Sequence, residues 1–421
     1  MKKIVISGPI NSRSGYGNMC RFAFHALKNR KDTVDLYLLP TTWGGTGNLF
    51  ENDEERKEIE QLVLKTHQLI ESTKNQPGFD VAIQVTIPNE WKKLAPYNIG
   101  YTAGIETNFI SPAWLQPSLA MDKIIVISEH AKSGFVDTVL VDANANAGRG
   151  VQYRVTTPVE VCHFPVRELE PADINLKFKH DFNFLAVCQW GPRKNLEQTI
   201  INFVEEFKYD EIGLILKINT TNDSLLDKEQ TKTRLATLLA ALPQDRTCSV
   251  NFIHGHMSDK EMVALYRHPQ VKALISTTHG EGFGFPMFEA TCAEKPVIAT
   301  DWSGHLDFLT MKDEDGVEKK MFAKVDFELK PLAREHIWQG VLEEGTSWAY
   351  PIPSSFKSRM REVFKDYDRF KSWSKKLNKW VKEEFKEQKV KDKFYNLVTG
   401  QFNVEDWLNQ MNVEENVFEH D

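Results

Sequence analysis

The sequence predicts an α/β protein with two domains, each built on a parallel sheet covered by helices, that face one another across a cleft. Three observations lead to this prediction. At 421 residues the chain is too long for one ordinary core. Short apolar runs alternate with helical stretches, as in doubly wound parallel sheets. The alternation stops at a charged segment, residues 167–180, and then begins again.

Each half of the chain contains a series of short apolar runs that we interpret as buried strands. In the first half we predict strands at 3–7, 34–39, 81–85, 97–101, 123–128 and 158–162, with helices at 18–30 and 53–73. In the second half we predict strands at 182–187, 214–218, 250–253, 271–276 and 297–299, with helices at 195–207, 227–241, 258–267 and 286–294. Ser258 and Glu261 have the spacing of a capping box, which supports one of these helix starts.

The region 354–398 has a different character and is predicted to be helical. Aromatic and aliphatic residues recur at spacings of three and four, which gives one apolar stripe: Phe370, Trp373, Leu377, Trp380, Val381 and Phe385. Residues 357–393 hold fourteen Lys and Arg against seven Asp and Glu. A membrane-binding amphipathic helix is therefore one alternative, but we favour a stripe that belongs to the core of the protein.

These patterns divide the chain into four parts. We predict one Rossmann-like domain over 1–168 and a second over 169–353. Helices follow over 354–400, and an acidic tail over 401–421. Ligands of open parallel sheets bind at the carboxyl ends of the strands. This rule predicts a site in the cleft between the two domains.

The composition restricts the class of protein. With 41% hydrophobic and 26% charged residues it is typical of soluble globular proteins. No run of 18 apolar residues exists, so we expect no transmembrane segment, and the N-terminal apolar run is too short for a signal peptide. Five scattered cysteines indicate free thiols in a reducing compartment, and we expect a cytoplasmic protein. A net charge of −7 gives no general attraction to nucleic acid.

The segment 278–290 carries the most functional information. Glu281 and Glu289 lie eight positions apart on either side of a glycine-rich turn, and a helix is predicted to begin at Pro286. A strand, such a turn and a helix N-terminus together bind anions, because the first helical N–H groups lack partners. Two carboxylates would repel a bare phosphate but accept strong hydrogen bonds from vicinal hydroxyls. The pattern therefore indicates a ligand that is part phosphate and part polyol, as a nucleotide-sugar is.

This segment resembles the E-x7-E motif of the retaining nucleotide-sugar glycosyltransferases of family 4, which have the GT-B fold. The resemblance is strong over about 185–310. It implies that the domain over 1–168 binds the acceptor and the domain over 169–353 binds the donor. It also implies that the helices over 354–400 pack back on the first domain. It implies that Glu281 contacts hydroxyls of the donor sugar and that Glu289 holds the ribose. It also implies that sugar and phosphate lie against the glycine turn and the helix start, at Gly282, Phe283, Gly284 and Phe285.

Arg193 and Lys194 follow the first strand of the second half and precede a helix. Two cations at such a turn can neutralise a diphosphate, the guanidinium by a bidentate fork and the ammonium as a point charge. Family members resembling this chain have a Lys at this helix start, which Lys194 matches. They also have an Arg near the strand end, where this chain has Gln189, so Arg193 is the expected substitute.

Two segments of the first half are candidates for the other wall of the site. Arg13, Ser14 and Gly15 lie after the first strand, in a sequence that is neither G-x-G-x-x-G nor a phosphate-binding Walker A loop. The resemblance places this loop near the donor phosphate or the acceptor. Glu106 follows the strand at 97–101, in a segment that resembles one of some family members in which an acidic residue lines the cleft opposite the donor. The resemblance implies that Glu106 positions an acceptor hydroxyl or acts as its base. An ordinary glutamate of a surface loop is the alternative.

The sequence Asn251-Phe-Ile-His-Gly-His contains two histidines with one residue between them. This spacing is poor for a metal site without a further ligand, and we predict no metal. The resemblance places the backbone of His254 and Gly255 near the nucleotide base.

We therefore expect a retaining, metal-independent hexosyl- or pentosyltransferase without a cofactor, whose donor is a UDP- or GDP-type sugar. The acceptor is expected to be a glycan or lipid-linked glycan, with a modified nucleobase in DNA as an alternative. A sugar-nucleotide epimerase of the same fold and a catalytically silent nucleotide-sugar binding protein are the competing interpretations. The sequence gives no indication of oligomeric state.

Overall fold

The computed structural model describes residues 1–49, 53–142, 151–313 and 315–400. The predicted acidic tail, 401–421, lies outside the described residues. Within the described ranges, no helix has both the length and the apolar character that crossing a membrane requires.

The first domain is built on a sheet of six parallel strands in the order β2-β1-β3-β4-β5-β8. A short antiparallel pair, β6 and β7, stands apart from it. The strands are β1 (Lys2–Gly8), β2 (Val34–Pro40), β3 (Val81–Val85), β4 (Tyr97–Thr102), β5 (Lys123–Val126), β6 (Leu140–Asp142), β7 (Val151–Tyr153) and β8 (Val159–Val161). The helices are α1 (Gly15–Leu27), α2 (Glu54–Ser72), α3 (Leu115–Leu119) and α4 (Glu129–Val136).

The second domain repeats this plan with six parallel strands in the order β11-β10-β9-β12-β13-β16. The strands are β9 (Asn183–Gln189), β10 (Gly213–Asn219), β11 (Ser249–Ile253), β12 (Val271–Ser276), β13 (Val297–Thr300), β14 (Thr310–Lys312), β15 (Glu318–Lys320), β16 (Ala323–Val325), β17 (Phe327–Pro331) and β18 (Ser347–Pro351). The helices are α5 (Leu196–Phe207), α6 (Leu225–Ala240), α7 (Asp259–Arg267), α8 (Phe285–Cys292) and α9 (Leu306–Leu309). The prediction of two parallel-sheet α/β domains is confirmed.

The C-terminal region forms three helices: α10 (Pro353–Lys365), α11 (Tyr367–Glu384) and α12 (Glu387–Thr399). Helix α12 packs on α1 of the first domain, which confirms that the chain crosses back. Helices α10 and α11 pack on α5 and α8 of the second domain, so the prediction that all of 354–400 covers the first domain is wrong for these two. The breaks near Asp366 and Lys386 let one helical region follow the surfaces of both domains.

The apolar stripe of the C-terminal region belongs to the core. Phe370, Leu377, Val381 and Phe385 are all buried, and Trp373 and Trp380 pack against the hydrophobic clusters from their edges. The stripe is therefore not available to a membrane. Its burial joins α11 to the body of the protein.

Two helices that form the cleft begin earlier than predicted. Helix α1 begins at Gly15 because the Ser14 hydroxyl accepts the Gly17 N–H at 3.0 Å, a side-chain N-cap. Helix α8 begins at Phe285, so Pro286 occupies its second position. Gly284 has φ +92 and closes the glycine turn immediately before this helix. The capping box of Ser258 and Glu261 is present at the start of α7.

A feature that the sequence analysis did not predict connects the two domains. We call residues 327–351 the arm: an antiparallel hairpin of β17 and β18 with a long connection between them. Its connection packs on the first domain, where Glu343 accepts a 2.7 Å bond from the Ser111 hydroxyl and the Gly340 carbonyl accepts a 2.9 Å bond from the Trp114 indole. The arm therefore bridges the cleft on one side.

Candidate functional site

The candidate site lies where the carboxyl ends of the two parallel sheets face each other. Loops after β9 and β12 supply Arg193, Lys194 and Glu281 from the second domain, and the loop after β4 supplies Glu106 from the first. The two loops of the second domain are joined through their backbones, since the His279 N–H donates a 2.8 Å bond to the Arg193 carbonyl. The predicted catalytic residues are thus brought together by the tertiary structure.

Glu281 is held by both predicted cations. The Lys194 ammonium lies 2.5 Å from Glu281 Oε1, and Arg193 Nη1 lies 3.1 Å from Oε2. Only 8% of Glu281 is exposed. Burial alone would raise its pKa, but the charges of Lys194 and Arg193 outweigh burial and lower it to about 2. Glu281 therefore remains an anion near neutral pH and is a weak base.

Arg193 also reaches across the cleft. Its Nη2 lies 3.2 Å from Glu106 Oε1, while its Nη1 donates a 2.5 Å bond to the Gly280 carbonyl. Burial disfavours the charged guanidinium, but the carboxylates of Glu106 and Glu281 outweigh this and raise the pKa of Arg193. One guanidinium thus connects the predicted acceptor-side acid with the predicted donor-side acid.

The loops that carry Glu106 and Glu281 are in direct backbone contact. A Cβ placed on Gly280 would lie 2.2 Å from the Glu106 carbonyl oxygen, and one placed on Gly282 would lie 2.6 Å from the Ala103 carbonyl oxygen. Only glycine permits this approach. In this conformation the first domain covers the part of the glycine turn to which the resemblance assigned sugar contacts.

The aromatic side chains of the glycine turn pack against other aromatic rings of the protein. The Phe283 ring is buried and lies 5.2 Å from the Phe164 ring, and the Phe285 ring lies 4.4 Å from the same ring. Phe164 follows β8, so these contacts join the two domains at the base of the cleft. Backbone contacts of these residues with a ligand stay a prediction.

His130 and Trp302 form the wall of the cleft beside Glu106. Their rings are 4.6 Å apart in an edge-to-face arrangement. Burial disfavours the charged imidazole and lowers the pKa of His130 to about 4. The imidazole is therefore neutral near pH 7.

Glu289 lies away from this cluster, on the wall of a cavity of about 240 Å³. The cavity is bounded by α7, α8, residues 166–170 of the connection between the domains, and Lys382. The Tyr266 hydroxyl donates a 2.9 Å hydrogen bond to Glu289 Oε2. The Glu289 side chain is exposed to this cavity, whose walls shield it from bulk solvent. This shielding raises the pKa of Glu289 to about 7, although the bond from Tyr266 favours the anion.

The loop after β1 faces the second domain across another part of the cleft. Arg13 lies 3.5 Å from the Asp223 carboxylate and also contacts the His256 ring. Ser14 caps α1, and a Cβ placed on the exposed Gly15 would have no atom within 4 Å. Arg13 therefore lies at the contact between the two domains, while a contact of Arg13, Ser14 or Gly15 with the donor phosphate stays a prediction.

The segment around His254 is held by a buried carboxylate. Asp227 Oδ1 lies 2.7 Å from His254 Nε2, and the same side chain accepts the backbone N–H groups of residues 220–222. Burial opposes the charge on Asp227, but these bonds lower its pKa to about 2. The Gly255 carbonyl accepts a 2.7 Å bond from Lys217, and Gln189 donates a 2.9 Å bond to the Thr220 carbonyl.

Sequence reasoning did not identify three residues that shape the site. Ser303, at φ +92, accepts the Glu281 N–H at 2.9 Å. Tyr266 binds Glu289, and Asp227 fixes the loop after β10 and His254. The sequence Asp301-Trp-Ser-Gly after β13 was a visible signal for Ser303. Tyr266 and Asp227 lie inside helices and gave none.

The chain is similar to known glycosyltransferases in sequence and in fold. A family model described as "Glycosyl transferases group 1" matches residues 175–320. Among solved structures, sucrose-phosphate synthase of Thermosynechococcus elongatus has a TM-score of 0.61 at 12% identity, covering 96% of this chain and 100% of that one. HepE of Anabaena in complex with UDP-glucose has a TM-score of 0.56 at 12% identity, covering 95% and 100%. A glycosyltransferase of Rickettsia africae has a TM-score of 0.57 at 12% identity, covering 96% of this chain and 99% of that one.

A search of curated protein sequences found no significant match. At 12% identity the solved structures establish the fold, and the family model covers the segment that contains Arg193, Lys194 and both glutamates of the motif. The chain therefore has the GT-B fold of these glycosyltransferases, and its residues 175–320 match the group 1 glycosyl transferases.

Proposed function

We propose that this protein is a retaining glycosyltransferase that moves a sugar from a nucleoside diphosphate sugar to an acceptor hydroxyl. The observation that carries the proposal is the contact of Lys194 and Arg193 with Glu281 immediately before the N-terminus of α8. Cations and free helical N–H groups suit a diphosphate, and a carboxylate suits sugar hydroxyls. This arrangement stands at the cleft of a GT-B fold.

The nucleoside would occupy the cavity beside α7 and α8. Its volume of about 240 Å³ and the carboxylate of Glu289 on its wall suit a ribose with two vicinal hydroxyls. HepE, which has this fold, was solved with UDP-glucose. That favours a UDP-sugar as the first donor to test, with GDP-sugars as the next.

Lys194 and Arg193 would stabilise the charge that develops on the leaving diphosphate as the glycosidic bond breaks. Glu281, with a pKa of about 2, is too weak a base to take the acceptor proton. We assign it the role of orienting the donor sugar. Retention would follow from attack on the face that the diphosphate leaves, and Glu106 would position the acceptor hydroxyl. We propose no metal or cofactor for this reaction.

The binding step is tested by thermal unfolding in the presence of UDP-, GDP-, ADP- and TDP-sugars. Linkage predicts a stabilisation of about 2.7 kcal/mol at a ligand concentration one hundred times the dissociation constant. No shift with any of these compounds would contradict the proposal.

The transfer step is tested by following release of the nucleoside diphosphate with and without a panel of oligosaccharide acceptors. Glu281→Gln should keep nucleotide binding and lose transfer. An epimer formed from UDP-N-acetylglucosamine without any acceptor would instead identify an epimerase. Binding without turnover of any donor would leave a nucleotide-sugar binding protein.

A further inference from the structure

The cations proposed to bind the diphosphate already have carboxylate partners. We call Arg193 and Lys194 the cation pair. Within the described ranges, the carboxylates within 4 Å of the cation pair are Glu281, which contacts both cations, and Glu106, which contacts Arg193. Two positive charges thus face two negative charges. A diphosphate that entered this cluster unchanged would meet no net positive charge, and its own charge would be repelled at short range.

The Glu281 side chain cannot move away from the cation pair without disrupting the second domain. It is buried, it contacts both cations, and its own N–H is bound by the Ser303 hydroxyl. All of these partners belong to the same domain. The carboxylate and the cation pair therefore form one fixed unit.

Glu106 has the opposite properties. It belongs to the first domain, its side chain is 27% exposed, and its ion pair is the 3.2 Å contact with Arg193. A separation of the two domains by a few ångströms would break this contact and return the carboxylate to water. The guanidinium would then be free to bind another anion.

The backbone contacts of the same loops link this separation to the donor. The carbonyl oxygens of Glu106 and Ala103 lie so close to Gly280 and Gly282 that a methyl group would not fit between them. A sugar ring placed against the glycine turn needs more room than a methyl group. Donor entry therefore requires the loop of residues 103–106 to withdraw, and its withdrawal removes Glu106 from Arg193.

We propose that Glu106 is a positioning residue that occupies the cation pair as an internal anion in the ligand-free protein and is exchanged for the diphosphate of the donor. The exchange rests on the proposed function of the same site. It reduces repulsion, since the single negative charge of Glu106 leaves the cation pair before the two negative charges of the diphosphate arrive. It also orders the reaction, because the Glu106 carboxylate becomes available to the acceptor hydroxyl only after the donor has bound.

The test is the affinity for UDP, measured by titration calorimetry on the full chain without acceptor. Glu106→Gln removes the competing charge but keeps the size of the side chain. Removing one partly exposed ion pair should raise the affinity about fivefold. The affinity for inorganic pyrophosphate, which has no sugar or base, should also be higher in Glu106→Gln than in the unmodified protein. An affinity equal to or lower than that of the unmodified protein would overturn the exchange.

Glu343→Gln is the matched control. Glu343 is also a carboxylate at the contact between the domains, but its partners are the Ser111 hydroxyl and the Gly340 N–H. We expect its UDP affinity to stay within twofold of the unmodified protein. An equal gain in both variants would mean that general loosening of the domains, and not the charge at the cation pair, limits binding, and would overturn the proposal.

The outcome also separates this inference from the proposed function. If the unmodified protein binds UDP or GDP and Glu106→Gln does not bind more tightly, the exchange is wrong and the donor site stands. If neither protein binds any nucleoside diphosphate, the donor site is wrong and the exchange falls with it. Glu106→Ala should repeat the gain, and a thermal unfolding curve for each variant checks that it is folded.

Discussion

The Tyr266 hydroxyl donates a 2.9 Å hydrogen bond to Glu289 in the cavity between α7 and α8. Loss of bulk solvent raises the pKa of Glu289 to about 7, well above its ordinary value of 4.5. Near pH 7 the protonated and ionised forms of this carboxyl are therefore similarly populated in the free protein. A ribose that donates two hydrogen bonds requires the carboxylate. Donor binding at this site should therefore release a proton.

We accordingly predict that UDP affinity falls as the pH decreases from 8 to 6, with a slope that approaches tenfold per pH unit below 7. Calorimetry in two buffers of different ionisation enthalpy would count the released proton. Tyr266→Phe removes the hydrogen bond that favours the Glu289 anion, and it should move the midpoint of the pH dependence of UDP affinity to higher pH. Glu289→Gln should bind more weakly with no such pH dependence, whereas an unchanged pH profile in this variant would exclude Glu289 as the titrating group.

Lys194 is predicted to affect both catalysis and acid stability. Lys194→Met should lower donor turnover by about 10²–10³-fold, because it removes a charge that stabilises the leaving diphosphate. Steady-state rates of UDP release would measure this loss. Lys228→Met, which removes an exposed lysine of α6, serves as the control and should leave the rate unchanged.

The same variant changes the pH dependence of unfolding. The pKa of Glu281, about 2, lies below its ordinary 4.5, so its ion pairs stabilise the folded protein above pH 4.5 and lose this effect as the pH falls towards 2. Without Lys194 the pKa of Glu281 should rise, and the acid-sensitive range should move to higher pH. Urea unfolding between pH 3 and pH 7 would measure the shift. An identical pH profile in Lys194→Met would contradict the assigned ion pair.

Two glycines in the first turn of α1, Gly15 and Gly17, are predicted to differ in their tolerance of a side chain. A Cβ on Gly17 would lie 1.9 Å from the Ser12 carbonyl oxygen, whereas one on Gly15 would have no atom within 4 Å. Gly17→Ala should therefore destabilise the protein by several kcal/mol, as overpacking does. Gly15→Ala should leave the melting temperature unchanged.

The contrast also tests the site. Because Gly15→Ala is expected to fold normally, a loss of donor affinity in this variant would place the ligand beside α1. Unaltered affinity would remove Gly15 from the binding residues. The stability argument fails if the two alanine variants melt at the same temperature.

The arm is predicted to make the two domains unfold together. Val341 is buried in a hydrophobic cluster of the first domain with Trp91, Ile110 and Trp114. Val341→Ala should cost about 1–2 kcal/mol, and with Glu343→Ala it should separate one calorimetric transition into two. Leu329→Ala, at an exposed position of β17, is the control. A single transition in the double variant would show that the arm is not what couples the domains.

Local sequence determined the parallel sheets and the identity of the polar residues at their ends. The periodicity of the apolar residues and the local composition are sufficient for this. A buried parallel strand appears as a short apolar run, and the N-terminus of a helix follows a capping residue such as Ser258. Lys194 and Glu281 were identified on the same basis, since both follow predicted strands. The positions of α1 and α8 shifted by one to three residues because caps and turns depend on local side-chain bonds.

Only the tertiary structure decided which of these residues meet. Arg193 and Glu106 are far apart in sequence and belong to different domains, and no pattern predicts that they form an ion pair. The same holds for the arm, whose partners lie about 230 positions away. It holds also for Glu289, which the motif pairs with Glu281 but the fold places in a separate cavity with Tyr266. The types of residue and their short spacings therefore indicate the chemistry of the site. The charge around the cation pair and the access of a ligand to it depend instead on how the two domains contact each other, which short spacings do not determine.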